Sequence, residues 1–419
     1  MHIYTVNNLS FKKFLYLRTM NFRYYKNTLL LFISIFYFSN ISTGKDVKVP
    51  NLTNSAKVSV LTVGRADHEI WQNFGHTAIR VKDSILGWDF VFNYGTFDFG
   101  DPDFIYKFIK RQLMYYESID DFSDFKQNYI DENRWIREQE LNLTQAQKQQ
   151  IFERLTVNAR EENKYYIYDF LFDNCSTRPR DIVLSVFPNK KTKADKDDAT
   201  TYRELIDRNV KDEWLDLGMD LLIGIPTDTS ANFGRTFLPE ELMQMLDNTT
   251  VDGKKIVKSN VEILATVPEH ASKQMLTPGL VFWLLFFLVL IVQVKFSFFS
   301  KNKIIPVVYF TILGLLGWLF VFMWFFTDHV CTKWNLNILW AMPLNVPLIY
   351  FILQKNIPKF VLTYLKIYRI LLIMLLIGWW LNPQTYHAAV IPLILIAILF
   401  SSLYLPIPTK EDFKKRLFS

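Results

Sequence analysis

Hydrophobic and polar positions are finely mixed from about residue 45 to 277, and long apolar runs take over from Pro278. Within the mixed part, "KVSVLTVG" (57–64), "FGHTAIRV" (74–81) and "DFVFNYGTF" (89–97) concentrate β-branched and aromatic residues and predict strands. "DPDFIYKFIKRQLMYY" predicts a helix that runs on into a strand at Met114–Ser118, and "RWIREQELNL" alternates as a strand does. "TQAQKQQIFERLTVNAREE" opens with Thr144 as a cap and predicts a polar-faced helix. "KYYIYDFLF" leads into another helix, whose start is set by Pro179, a residue tolerated only in a first turn. "NKKTKADKDDATTYRE" reads as a charged, solvated loop. The expectation for residues 45–277 is an α+β domain large enough to bury its own core.

Beyond it, apolar runs that approach the roughly 20 residues needed to span hydrocarbon fall at about 278–294, 304–326, 336–353, 366–381 and 388–405. Pro343 and Pro347 interrupt the third, and the fourth reaches full length only with the snorkelling stems of Lys366 and Arg369. The pattern predicts an all-α transmembrane domain of five helices over 278–405. Lysines follow the first and third runs, and the basic tail 406–419 follows the fifth, whereas "TDHVCTKWN" and "NPQTYHA" hold one lysine between them. The bias places the tail in the cytoplasm and the α+β domain outside. An export signal fits that orientation. Arg23 and Lys26 precede an apolar segment from Leu29 to Phe38, and Ser42 and Gly44 form a small-residue cleavage pair, within residues 1–44. An uncleaved anchor is the alternative, and residues 1–19 read as an upstream mis-start before Met20.

Charge adds little. The net +6 is not gathered into a basic stripe with interleaved aromatics, which argues against a nucleic-acid partner. Chemistry is confined by the scarcity of reactive side chains. Cys175, in "FDNCSTRPRD", falls at the predicted helix start, behind the cap-type residues Asp173 and Asn174 and beside Arg178 and Arg180. Helix dipole and arginines both favour a thiolate there. The available bases are His76, on a strand after Gly75, and His68, in a polar loop; His270 lies just before the first apolar run. A disulfide between Cys175 and Cys331 stays open on an oxidising side. No clustered Cys/His spacing supports a metal site, and nothing calls for a cofactor.

"FGHTAIRV", "NYGTFDF", "YDFLFDNCSTRPRD", "YRELID", "WLDLGMDLLIG" and "FLPEEL", in that order, resemble the exported domain of the Lnb-type lipoprotein N-acyltransferases, and "TDHVCTKWNLNILWAMPL" resembles that family's membrane half. The order of histidine, then cysteine at a helix start, is also similar to the circularly permuted papain-like thiol acyltransferases. The resemblance implies an antiparallel sheet with helices, Cys175 as nucleophile and His76 as its base. It implies a phospholipid acyl donor, a diacylated lipoprotein acceptor and a bacterial inner-membrane location with the thiol domain in the periplasm. Asn93 lies on the neighbouring strand and is the expected orienting group for His76, with Asp89 and Glu69 as alternatives. Arg178 is expected either at a lipid phosphate or paired with Asp181. His329 and Asn335, with Asp328 and Asn337, cluster at the outer edge of the second and third runs and are expected to present substrate. Two other classes remain: a membrane-anchored papain-like peptidase or amidase acting on the cell wall, and a non-enzymatic membrane scaffold. A wall hydrolase needs one anchor rather than five spans, and a scaffold needs no thiol at a helix start.

Overall fold

The computed structural model describes residues 49–192, 199–210, 213–267 and 275–405. The expected export signal, the basic tail and His270 lie outside the described residues. The strands are β1 (Lys57–Val63), β2 (His76–Asp83), β3 (Trp88–Thr96), β4 (Met114–Asp121), β5 (Ile136–Leu141), β6 (Tyr165–Ile167), a two-residue pair β7 (Thr250–Val251) and β8 (Lys254–Lys255), and β9 (Val257–Leu264). Seven of them form one sheet in the order β6-β4-β3-β2-β1-β5-β9, every neighbouring pair antiparallel.

The central strands β1 and β2 are buried along almost their whole length, which explains why they read as continuous apolar runs rather than as strict alternation. Leu61, Val63, Ala78, Val91 and Ile136 pack there against Phe125 of the Phe122–Asp131 helix. Thr144 caps the Gln145–Asn158 helix as expected, in a reciprocal box with Gln147. The helix predicted from "DPDFIYKF" is Phe104–Lys110, and β4 begins at Met114.

The C-terminal half is helical. Among the described residues, three helices are long and apolar enough to cross a membrane: Pro278–Phe296, Ile304–Phe325 and Lys359–Ile377. The third of these starts ahead of the expected run and carries Lys366 and Arg369 within it. The 336–353 run forms a short 3-10 turn, Leu336–Leu339, and an eight-residue helix, Asn345–Ile352. Pro343 breaks the segment between them, because proline removes a donor and clashes with the preceding turn. The last run is helical over the 13 residues Val390–Ser402. At 1.5 Å per residue that is about 20 Å, short of the roughly 30 Å of hydrocarbon. Phe310, Phe320, Trp340, Leu365, Tyr368 and Ile394 form the core of this half.

The two halves meet through a buried polar joint. Arg203 is 1% exposed and donates to Asp220 Oδ1 at 2.5 Å, to Asp228 Oδ1 at 2.9 Å and to the Ile223 carbonyl at 3.2 Å. Asp228 in turn accepts the Thr385 N–H at 3.0 Å, and the Asp220 carbonyl accepts from Asn337 Nδ2 at 3.1 Å.

Candidate active site

Cys175 sits on a loop whose shape is set by its own polar side chains. Asp169 Oδ1 accepts the N–H groups of Leu171 and Phe172, both at 3.0 Å. Asn174 Nδ2 donates to the carbonyls of Phe170 and Phe237 at 2.8 and 2.9 Å, and its Oδ1 accepts from the N–H groups of Ser176 and Thr177 at 2.8 and 2.9 Å. Those are orphan donors of a helix start, so the Thr177–Ser185 helix begins at once, with Pro179 in its first turn. The same bonds occupy the Ser176 and Thr177 N–H groups, so neither is open to an oxyanion.

The sheet makes room for the thiol. The β2–β3 ladder ends at Ala78–Asn93, and β3 breaks register against β4 between Asn93 and Thr96. Gly95 lies in that break at φ +93°, and a Cβ there would stand 3.4 Å from Cys175 Cβ and 3.6 Å from Tyr168. Only glycine combines that backbone with so close an approach. The Thr77 N–H, just past the ladder's end, hydrogen-bonds the Cys175 sulfur, as does the Tyr168 side chain. The thiol is therefore placed at the first two residues of β2, where His76 begins the strand. Gly75, at φ +77°, leads into it, and a Cβ there would meet the Val63 carbonyl at 2.7 Å.

His76 Nε2 lies 3.1 Å from Asn93 Oδ1, and Asn93 Nδ2 donates to Asp120 Oδ2 at 2.7 Å. A carboxylate only accepts, so Asp120 fixes the amide with its oxygen toward the ring. The imidazole must then donate from Nε2, which leaves the lone pair on Nδ1. Burial pulls His76 down to about 4, against the Asn93 bond and with help from the Arg134 charge. Burial pushes the Cys175 thiol up to about 11, against the bonds from Thr77 and Tyr168. Both groups are neutral at rest. The thiolate expected from the helix start is not the resting form, because burial outweighs the local charges and both arginines are engaged. Arg178 donates to both carboxylate oxygens of Asp173, at 2.6 and 2.8 Å, and lies 3.5 Å over the Tyr166 ring. Arg180 pairs with Asp181 at 2.7 Å.

A cavity of about 610 Å³ opens beside the imidazole, lined among others by His76, Asn93, Asp120, Tyr129 and Asp131. Its carboxylates are met by an amide or a guanidinium: Asn93 on Asp120 at 2.7 Å, Gln127 on Asp131 at 2.8 Å and Arg134 on Glu132 at 2.7 Å. A half-buried thiol bonded at the Thr77 N–H, one residue along the chain from an oriented neutral imidazole, is the equipment of nucleophilic catalysis with a general base.

Two family models match the chain. One, described as the Lnb N-terminal periplasmic domain, covers residues 52–208, and the other, the Lnb transmembrane domain, covers residues 269–412. The chain belongs to the Lnb family. No curated protein and no solved structure matches it. It is accordingly a membrane protein whose thiol and imidazole lie in the periplasmic domain. Residues 209–268, which fall between the two Lnb matches, supply β9 at the sheet edge and Asp220 and Asp228 at the joint.

The remaining sequence candidates are dispersed in this Lnb chain. Asp89 is held by Arg80 at 2.6 and 2.7 Å, and Glu69 is an exposed residue ahead of the short Ile70–Phe74 helix. His68 is exposed on the same loop. Arg178 pairs with Asp173 rather than Asp181, because the helix starts only at Thr177 and its side chain reaches back across the cap. Asn335 is fully buried with its amide saturated: Nδ2 donates to the Leu221 and Leu222 carbonyls, and Oδ1 accepts from the Asn337 N–H and Gln384. That leaves it nothing to offer a substrate, and it belongs to the joint. His329 Nε2 lies 3.2 Å from the Phe108 carbonyl, so this outer loop touches the periplasmic domain. Cys175 and Cys331 are both free thiols. Asp120 and Tyr168 were not foreseen. Tyr168 lies inside a quoted motif, and Asp120 depends on a register that the bulge at Gly95 conceals.

Proposed function

We propose that the protein is a lipoprotein N-acyltransferase of the inner membrane, moving an acyl chain from a phospholipid through a Cys175 thioester to the N-terminal amine of diacylglyceryl-cysteine lipoproteins. The observation that carries the reading is the thiol at the head of β2, next to an imidazole whose free Nδ1 is fixed by Asn93 and Asp120. As the Cys175 sulfur attacks the donor ester carbon, its proton passes to His76 Nδ1. Collapse of the tetrahedral intermediate breaks the ester C–O bond, and the imidazolium returns the proton to the leaving lysophospholipid oxygen. The thioester is then attacked by the lipoprotein's free amine, whose proton goes to His76 and on to the departing sulfur. The products are an amide and the restored thiol.

The Thr77 and Cys175 N–H groups and the Tyr168 hydroxyl, the last held protonated by burial, all bond the sulfur and are the donors available to a developing oxyanion. The carboxylates of the cavity beside His76 suit an approaching α-ammonium. Loop charges support a cytoplasmic C-terminus, which leaves the thiol on the side where lipoproteins are exposed. The test uses purified protein with phospholipid and a diacylated lipopeptide, followed by the lipopeptide's mass. Wild type adds one acyl chain and Cys175→Ala adds none. No gain with wild type, or equal gain with Cys175→Ala, contradicts the proposal.

A further inference from the structure

The Phe104–Lys110 helix inverts the usual relation between helix and solvent. Ile105, Tyr106, Phe108 and Ile109 are 71%, 59%, 51% and 39% exposed, and no residue of the helix is buried. A surface helix on a soluble domain turns polar positions outward; this one presents an unbroken apolar face. Phe99, Trp71 and Ile70, at 63%, 51% and 59% exposed, enlarge the patch, and contiguous apolar surface of this kind marks a binding face.

Its position says what covers it. The Asp328 N–H donates to the Lys110 carbonyl at 3.2 Å, and Arg111 Nη1 donates to the Asp328 carbonyl at 2.9 Å. With the His329 contact to Phe108, the helix is fastened to the loop that directly follows the Ile304–Phe325 span. The span's last residue, Phe325, and the Phe326 that caps it are themselves 64% and 60% exposed. The apolar face therefore lies beside the end of a helix long and apolar enough to cross a membrane. Lys110 Nζ lies 5.6 Å from the Tyr106 ring, at the end of the helix where a lipid phosphate would be.

Aromatic rings then lead inward from the patch. Phe99 contacts Phe97 at 4.7 Å between centroids, Phe97 contacts Tyr115 at 5.2 Å, and Tyr115 stacks on Tyr168 at 4.6 Å. Tyr168 hydrogen-bonds the Cys175 sulfur. A groove of about 620 Å³ lies between Phe99 and the helix, lined mainly by Phe99, Pro102, Phe104, Ile105 and Ile109.

We infer that the Phe104–Lys110 helix and the neighbouring Phe99 and Trp71 rest in the outer leaflet and form the entry for the acyl donor. A phospholipid chain leaves the bilayer along the Phe99–Phe97–Tyr115–Tyr168 wall and brings its ester to Cys175. The acceptor amine comes from the other side, through the carboxylate-lined cavity at His76. The donor entry rests on the thioester reading; the membrane contact of the helix does not.

Two measurements test it on the full chain in phospholipid vesicles. The first adds a phospholipid with a photoactivatable diazirine on its acyl chain and maps the crosslinks by mass spectrometry. Crosslinks at residues 99–109 and at Tyr115 are expected besides those in the spans. Crosslinks confined to the spans overturn the inference. The second compares initial rates of Cys175 acylation in wild type and in the double variant Ile105→Asp, Ile109→Asp. The rate from bilayer lipid falls at least about tenfold, as expected when buried apolar contacts are replaced by charge. The rate from a monomeric short-chain phospholipid, which need not leave a bilayer, falls by a smaller factor. Equal loss with both donors, or no loss with either, overturns the entry. If wild type is acylated by neither donor, the thioester reading fails, and the crosslink map decides the membrane contact alone.

Discussion

Two buried polar clusters, one at the joint between the halves and one at the head of β2, are built to opposite ends. At the joint, Arg203, Asp220, Asp228, Asn335 and Gln384 bond one another and nearby backbone groups, and the Asn335 amide is fully used. At the head of β2, His76, Asn93 and Asp120 are bonded in a line that ends on a free Nδ1 and an open cavity, while the neutral Cys175 thiol is bonded at the neighbouring Thr77. Saturation is what a structural network needs, since each unmet buried group costs about 1–3 kcal/mol. An unfinished network facing a cavity is what chemistry needs, because the missing partner is the substrate. The comparison separates residues that look alike in the sequence: Asn93 and Asn335 are both buried asparagines, one in each kind of cluster.

The largest effect expected of that division is on stability. Arg203→Met leaves Asp220 and Asp228 facing each other without their cation and costs about 3–5 kcal/mol. Thermal unfolding in detergent should come far earlier, while activity per folded molecule holds. A fall in activity without a fall in stability would place Arg203 with the chemistry. Asn93→Ala should do the reverse. It frees the imidazole to turn, and single-turnover acylation of Cys175 should fall about a hundredfold, with KM for phospholipid unchanged. Asp120→Asn should follow in the same direction with a smaller loss. Unchanged rates in both variants would break the relay.

Asn335→Ala removes four hydrogen bonds at the joint and should lower stability by about 1–3 kcal/mol, leaving KM for the lipopeptide as it was. A raised KM at unchanged stability would return Asn335 to the substrate. The smallest effect is a flat line. His76 accepts a proton only while neutral, and its value of about 4 keeps it neutral well below pH 6.5. The acylation rate should hold between pH 7.5 and about 5.5 and fall only as pH approaches that value. A midpoint near 6.5 would mean that the ring is solvated in the working enzyme.

Much of the architecture is written in local patterns. β-branched runs give the sheet, Thr144 and Gln147 give a helix start, and Pro179 dates the start of the cysteine helix. His76 and Cys175 were recoverable because few residues of either kind exist to choose from, and the neighbouring strand offered Asn93 beside the alternative Asp89. What escaped depends on distance in space. The place of Asp120 requires the β3–β4 register, which shifts at the bulge. The state of the thiol requires its burial, which no window of sequence reports. Arg178 meets Asp173 across the helix cap, a contact that helical spacing alone misassigns. In the membrane half, hydropathy counts apolar residues but does not weigh Pro343 or the short reach of Val390–Ser402, so five runs become three long helices and two short ones.

The central claim is a covalent one, and it is tested most directly without the acceptor. Full-length protein is incubated with phospholipid alone, quenched in acid, digested and weighed. The account predicts a Cys175 peptide heavier by one acyl chain, linked through a hydroxylamine-sensitive thioester and discharged when a diacylated lipopeptide is added. A Cys175 peptide of unmodified mass in a preparation that still acylates the lipopeptide would contradict it.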